Sequence, residues 1–176
     1  IHACKKIEKK VKIDGDFKVR LGMLNPRHIP EMIDELIHVF QDDKMFKFLH
    51  IPIEAGNNEV LGKMNRKYTV YNFKEIVERF RRYVKDITIA TDIIVGFPSE
   101  TEAQFHDSLN LIQDIKPDVL NIARFSSRPN TVAAKMKDPV SGEKRKERSK
   151  MMTELFTQIS LKNNQKWIGW KGKIII

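Results

Sequence analysis

Four short apolar runs alternate with amphipathic helical stretches along this chain, and that alternation constrains its fold more than any other feature. The runs cover residues 17–23, 45–53, 87–95 and 119–125, each rich in β-branched or aromatic side chains. Strands that alternate with helices lie parallel, and parallel strands all end on one rim. The tails of the runs are unusual: Gly22-Met23-Leu24-Asn25-Pro26, then His50-Ile51-Pro52-Ile53-Glu54-Ala55-Gly56, then Gly96-Phe97-Pro98-Ser99-Glu100-Thr101, then Ser126-Ser127-Arg128-Pro129-Asn130-Thr131. An α/β fold brings these four tails together where such proteins keep their sites.

Between the runs lie a helix predicted over about 3–11, another from Pro30 to about residue 40, a short segment over 58–64, and helices over about 70–83, 99–115 and 143–166. Phe73, Ile76, Val77 and Phe80 mark the buried stripe of the helix over 70–83. Ser99 with Glu102 reads as a capping box. Met151, Met152, Leu155, Phe156 and Ile159 face inward on the last helix, with most of its basic charge outward.

The single cysteine, Cys4, leaves no partner for a disulfide within the chain and no Cys-only metal site, so a cytoplasmic setting is the default. Cys4 lies in a Lys-rich helical stretch with Ile7 and Val11 on its face and reads as packing. No apolar run reaches the length of a membrane span. The start has no signal-peptide layout and no Met, and the end reads as a strand stopped early, so the chain is expected to be part of something longer. Net charge is +9, of which a surplus of seven falls between Lys135 and Lys173. A basic C-terminal third beside a near-neutral body points to a polyanion, most simply a nucleic acid. The bland alternative is a solvated Lys-rich helix.

Several rim residues carry chemistry. Asp92 is a carboxylate inside an apolar strand and needs a defined partner. Gly96 clears the strand end for close approach of a ligand, and the helix that follows offers its N-terminus to negative charge. Glu54, with Asn57 and Asn58, is suited to ribose hydroxyls or an amino-acid head group. Arg128 suits phosphate or carboxylate through its planar fork. Arg20, in mid-strand, needs an anionic partner, for which Asp92 is a candidate. His50 reads as a satisfied core histidine. No Walker loop, no GxGxxG and no Ser/His/Asp order is present.

In order and spacing these tails, with Tyr68-Thr69 and the strand Asn121-Ile122-Ala123-Arg124-Phe125, resemble the radical S-adenosylmethionine methylthiotransferases. Arg20-Leu21-Gly22-Met23-Leu24-Asn25-Pro26 looks most like the archaeal and eukaryotic branch, which modifies N6-threonylcarbamoyladenosine next to the tRNA anticodon. The resemblance covers residues 16–176. It implies the C-terminal four βα units of a partial (β/α)6 radical-SAM barrel over 1–137, a basic closing helix and linker over 138–166, and the first strand of a small β-barrel, the TRAM domain, over 167–176. It implies S-adenosylmethionine and [4Fe–4S] clusters as cofactors and tRNA as partner, with Arg20, Glu54, Asp92, Ile94, Gly96, Glu100 and Arg128 near the cofactor.

The cluster-binding Cys-x-x-x-Cys-x-x-Cys motif is absent from this sequence, so the chain by itself is expected to assemble no cluster and to be inactive. It departs from the family pattern at Glu54-Ala55-Gly56-Asn57, where Gln-Ser-Gly-Ser is usual, and at Ser99 and Asn130, where Gly is usual. The rival readings are a non-enzymatic RNA-binding module that kept the fold and another α/β-barrel enzyme acting on a phosphate-bearing substrate.

Overall fold

Three parallel strands form the frame: β1 (Phe48–His50), β2 (Thr88–Val95) and β3 (Val119–Arg124), in the spatial order β1-β2-β3. The computed structural model describes residues 2–137 and 139–172. Around the sheet lie α1 (His2–Val11), α2 (Ile33–Gln41), α3 (Asn58–Lys63), α4 (Val70–Tyr83), α5 (Glu102–Ile115) and α6 (Gly142–Asn164). Among the described residues no helix is long and apolar enough to cross a membrane.

The register sets which side chains share a face. Phe48 pairs with Thr88 and His50 with Ala90, while Asp92 pairs with Asn121 and Ile94 with Ala123. Side chains alternate along a strand. Ile89, Thr91, Ile93 and Val95 therefore point together into the helix-covered core, and all four are buried. Phe48, His50, Ala90, Asp92, Ile94 and Asn121 share the other face, which is only partly covered. The core that holds the sheet against its helices is built on Phe40, Phe73, Phe80 and Phe105, none of which is exposed to solvent. Phe40 and Phe80 meet edge to face, with centroids 5.3 Å apart. Thr91 is the polar exception in this layer. Its Oγ1 donates to Ile51 O at 2.8 Å and accepts from Ile53 N–H at 3.1 Å, stitching β2 to the irregular backbone beyond β1.

The first predicted strand, 17–23, is not a full strand. It contributes one parallel bridge, Val19 to Met45, and a bond from Leu24 N–H to His50 O at 2.9 Å. Lys18, Arg20 and Gly22 interrupt its apolar pattern, and no strand covers its outer edge among the described residues. The second run is regular only over Phe48–His50, because Pro52 donates no backbone bond and Glu54 takes a left-handed φ of 72°. The capping box of α5 also lies two residues later than expected. Thr101 is the N-cap and pairs reciprocally with Gln104. Ser99 has φ 59° instead, and Glu100 N–H closes a turn onto Phe97 O at 3.0 Å.

Cys4 is buried, with Sγ 3.9 Å from Met32 Sδ, and burial pushes its thiol pKa up. After α6 the chain makes a 3-10 turn, Gln165–Trp167, and continues without strand pairing to Gly172. The rest of the strand expected over 167–176, residues 173–176, lies outside the described residues, as does Asp138 at the expected boundary.

Candidate active site at the carboxyl rim of the sheet

The open face of the sheet carries a polar chain anchored on Asp92. Its Oδ1 accepts from His50 Nε2–H at 2.9 Å and from Asn121 Nδ2 at 2.6 Å. Towards a carboxylate oxygen the ring N–H of His50 is the donor. Both bonds fall on one oxygen, which leaves Oδ2 available on a side chain 26% exposed. Arg20 is not the partner of Asp92. It is exposed, and its guanidinium lies 4.2 Å from the centroid of the Phe48 ring as a cation–π contact. His50 is correspondingly no core histidine: it is half-buried beside the same ring.

Behind this face lies Glu54, only 8% exposed, bonded through Oε1 to Arg66 Nη2. Burial raises the Glu54 pKa, the Arg66 charge opposes that rise, and the Asp92 charge adds to it. Tyr68 donates to the carbonyls of Pro52 and Ile53, and burial raises its pKa as well. Arg66 Nε is buried without a hydrogen-bond partner. Arg66 also lines a cavity of about 390 Å³, walled by Met64, Ile94, Phe97, Phe125, Val132 and Met136 among others. Phe97 and Phe125 pack edge to face there with centroids 5.2 Å apart. The volume falls in the range of small-ligand pockets, about 300–1,000 Å³.

Two glycines at the rim serve packing. Gly96 has φ +74°, and a Cβ added there would stand 2.2 Å from Arg145 Cγ. The α6 side chain thus covers the strand end, and Arg145 Nη1 donates to Phe125 O at 2.6 Å. Gly56 meets the backbone of α5. A Cβ there would stand 2.4 Å from Ser108 Cα, and Gly56 N–H donates to Ser108 Oγ at 2.8 Å.

Glu100 is turned into the protein, 4% exposed, and its Oε2 accepts from Gly96 N–H at 2.7 Å and from Arg148 Nη1 at 2.7 Å. Burial raises its pKa, against the pull of the Gly96 N–H and of Arg148. Arg128 lies in an exposed loop, its carbonyl accepting from Thr131. The structure therefore groups Asp92 and Ile94 on the rim, sets Glu54 just behind, commits Gly96 and Glu100 to contacts with α6, and leaves Arg20 and Arg128 at the periphery.

The basic charge of α6 is not all outward. Arg148 is 3% exposed and bonds Glu100 and Glu102, Arg145 is folded over Gly96, and Lys144 pairs with Glu102 and Glu147. The sequence reading missed His50, Arg66 and Asn121. For His50 the usable signal was its proximity to a strand end; for Asn121 there was none without the register.

Among the described residues no group of three His, Cys, Asp or Glu stands close enough to hold a metal, and Cys4 is packed against Met32. These residues do not fit an iron–sulfur cluster. The open face carries a carboxylate oxygen free for a polar group, two residues along β2 from Ile94, which lines the aromatic-walled hollow.

Residues 2–112 match the Radical SAM superfamily. A probable threonylcarbamoyladenosine tRNA methylthiotransferase from Pyrococcus horikoshii is 47% identical over 172 residues, which is 98% of this chain and 40% of that protein. A tRNA-2-methylthio-N(6)-dimethylallyladenosine synthase from a Thermoanaerobacter species is 41% identical over 164 residues, 93% of this chain and 34% of that protein. The chain thus spans about two fifths or less of the length of these relatives. Coproporphyrinogen III oxidase from Escherichia coli, described as a radical SAM enzyme, superposes with a TM-score of 0.69 over 90% of this chain and 36% of its own. At 21% identity that likeness is one of fold.

Proposed function

Since the chain belongs to the Radical SAM superfamily, we propose that it is part of a tRNA methylthiotransferase that adds a 2-methylthio group to N6-threonylcarbamoyladenosine beside the anticodon. The observation that carries this reading is the 47% identity with the Pyrococcus relative, sustained over 98% of the chain. S-adenosylmethionine is the cofactor implied, and when bound and reduced it supplies the radical chemistry. On this reading Asp92 and Ile94 hold it, the first through its uncommitted Oδ2 and the second through the apolar cavity wall. His50 and Asn121 keep the Asp92 carboxylate in one orientation. Glu54 and Arg66 brace the rim from behind. A single cysteine, Cys4, cannot by itself hold an iron–sulfur cluster.

The test uses the natural full-length protein, purified anaerobically. It is incubated with S-adenosylmethionine, a one-electron reductant, sulfide and tRNA bearing N6-threonylcarbamoyladenosine, and the nucleosides are resolved by mass spectrometry. The expected product has one hydrogen replaced by a methylthio group. Product only on dimethylallyladenosine tRNA refutes the substrate, and no product on either tRNA, with the cofactor bound, refutes the activity. Equilibrium dialysis of the Asp92→Ala variant should show S-adenosylmethionine binding weakened about tenfold or more, the scale of a lost hydrogen bond to a charged group.

A further inference from the structure

Two segments that wall the rim cavity contain no carboxylate at all. Residues 60–73 and 119–137 hold seven Lys and Arg and no Asp or Glu. Lys63 and Arg66 of the first segment line the cavity, as do Phe125, Val132, Ala133 and Met136 of the second. Lys67, Arg128 and Lys135 are exposed neighbours of those lining residues. Lys67 and Arg128 make no ion pair with a described residue. Of the nearby acids, Glu54 is matched by Arg66, Glu59 by Lys63 at 3.0 Å and Glu100 by Arg148, while Asp92 on the open face bonds His50 and Asn121. Lys67 and Arg128 therefore carry positive charge unpaired among the described residues, close in sequence to the lining of a hollow with two aromatic walls.

The basic helix α6 presents the opposite situation. Its first turns spend Lys144, Arg145 and Arg148 on the protein itself. Lys150, further along, sits beside Glu154 at 3.8 Å. Helix α6 is thus a weaker polyanion surface than its composition suggests.

We propose that the acid-free collar formed by Lys67, Arg128 and Lys135 around the rim cavity is the docking surface for the phosphodiester backbone of a single-stranded RNA loop, and that α6 is not. The inference rests on the reading that RNA is the substrate. Cations around aromatic side chains are the combination that single-stranded nucleic acid requires, since phosphates supply sequence-independent affinity and unstacked bases need flat apolar partners.

The test is fluorescence anisotropy of a labelled anticodon stem-loop RNA with the natural full-length protein at two salt concentrations. Three proteins are compared: the parent, the collar variant Lys67→Glu/Arg128→Glu/Lys135→Glu, and the α6 variant Lys146→Glu/Lys150→Glu. All five changed residues are exposed, and circular dichroism checks that the variants fold. The collar variant should lose about tenfold or more in affinity, and its slope of log K against log salt should fall by about 2, from three contacts at ~0.7 each on a single strand. The α6 variant should bind within about twofold of the parent. Parent-like binding by the collar variant overturns the proposal, as does an equal loss in the α6 variant. Equal binding of a fully double-stranded RNA overturns the single-stranded assignment. Collar-dependent RNA binding without any methylthiolated product leaves the docking surface standing while the proposed activity falls. Product formed equally well by the collar variant does the reverse.

Discussion

Arg148→Met tests how α6 is fastened to the end of β2. The substitution keeps the length of the stem and removes the guanidinium. Glu100, 4% exposed, then retains only the Gly96 N–H, and its Oε1 already lacks a partner. Breaking a buried pair from one side costs about 3–5 kcal/mol, because the surviving charge stays buried without its counterion. For a chain of this length each kcal/mol is worth about 2–4 °C in Tm, so a loss of about 6–20 °C follows. The pH dependence separates this from simple loss of packing. Burial already holds the Glu100 pKa above its ordinary value, and removing Arg148 removes one of the influences that lower it. A carboxyl with a raised folded-state pKa binds more protons folded than unfolded. Its contribution is therefore present below the unfolded pKa of about 4.5 and is lost as pH rises through the folded value. The deficit of Arg148→Met should accordingly be larger at pH 8 than at pH 4.5, where Glu100 takes up a proton. Adding Glu100→Gln should recover part of it at pH 8. Urea unfolding followed by circular dichroism at the two pH values reads all three quantities. A deficit under about 1 kcal/mol at pH 8, or one that does not change with pH, refutes the ion-pair account.

Ser99 and Asn130 hold left-handed backbone, with φ of 59° and 64°. Ser99→Gly should therefore stabilise by about 1 kcal/mol and Asn130→Gly by a few tenths, read as shifts of the urea midpoint at constant m-value. Gly56→Ala places a Cβ 2.4 Å from the Ser108 Cα, a backbone atom that cannot rotate away. It should cost about 2 kcal/mol or more, whereas Gly62→Ala, in α3 with no atom within 4 Å, should be neutral or stabilising by up to about 1 kcal/mol.

The parts of this fold written in local pattern were legible in the sequence. The stripe of Phe73, Ile76, Val77 and Phe80 located α4 at Val70–Tyr83, because helical spacing exposes one face at a time. Where two local patterns compete, the sequence does not choose. Ser99 with Glu102 and Thr101 with Gln104 both fit a capping box, and the turn after Pro98 gives the role to Thr101. The site was legible as a rim and less so as a set of partners. The partnership of His50, Asp92 and Asn121 depends on two register choices between residues 42 and 29 positions apart. No composition or period encodes such a choice. Arg148 was hidden for a related reason: a basic residue in a basic run reads as solvated until the carboxylate it must cover is placed.

That placement has a consequence for how the chain comes to be made. Glu100 and Arg148 are 48 residues apart in sequence, and Arg148 comes second. At about 5–20 residues per second of synthesis, the carboxylate waits roughly 2–10 s for its guanidinium. The pairing of β1 with β2 spans only residues that precede Glu100, so that much of the sheet is available before the wait ends. During the interval the turn at Gly96 has no lid, and Glu100 must stay hydrated or protonated. Assembly of β1 with β2 and closure of the rim, which carries the candidate site, are therefore separate events on the growing chain, and the closure comes second.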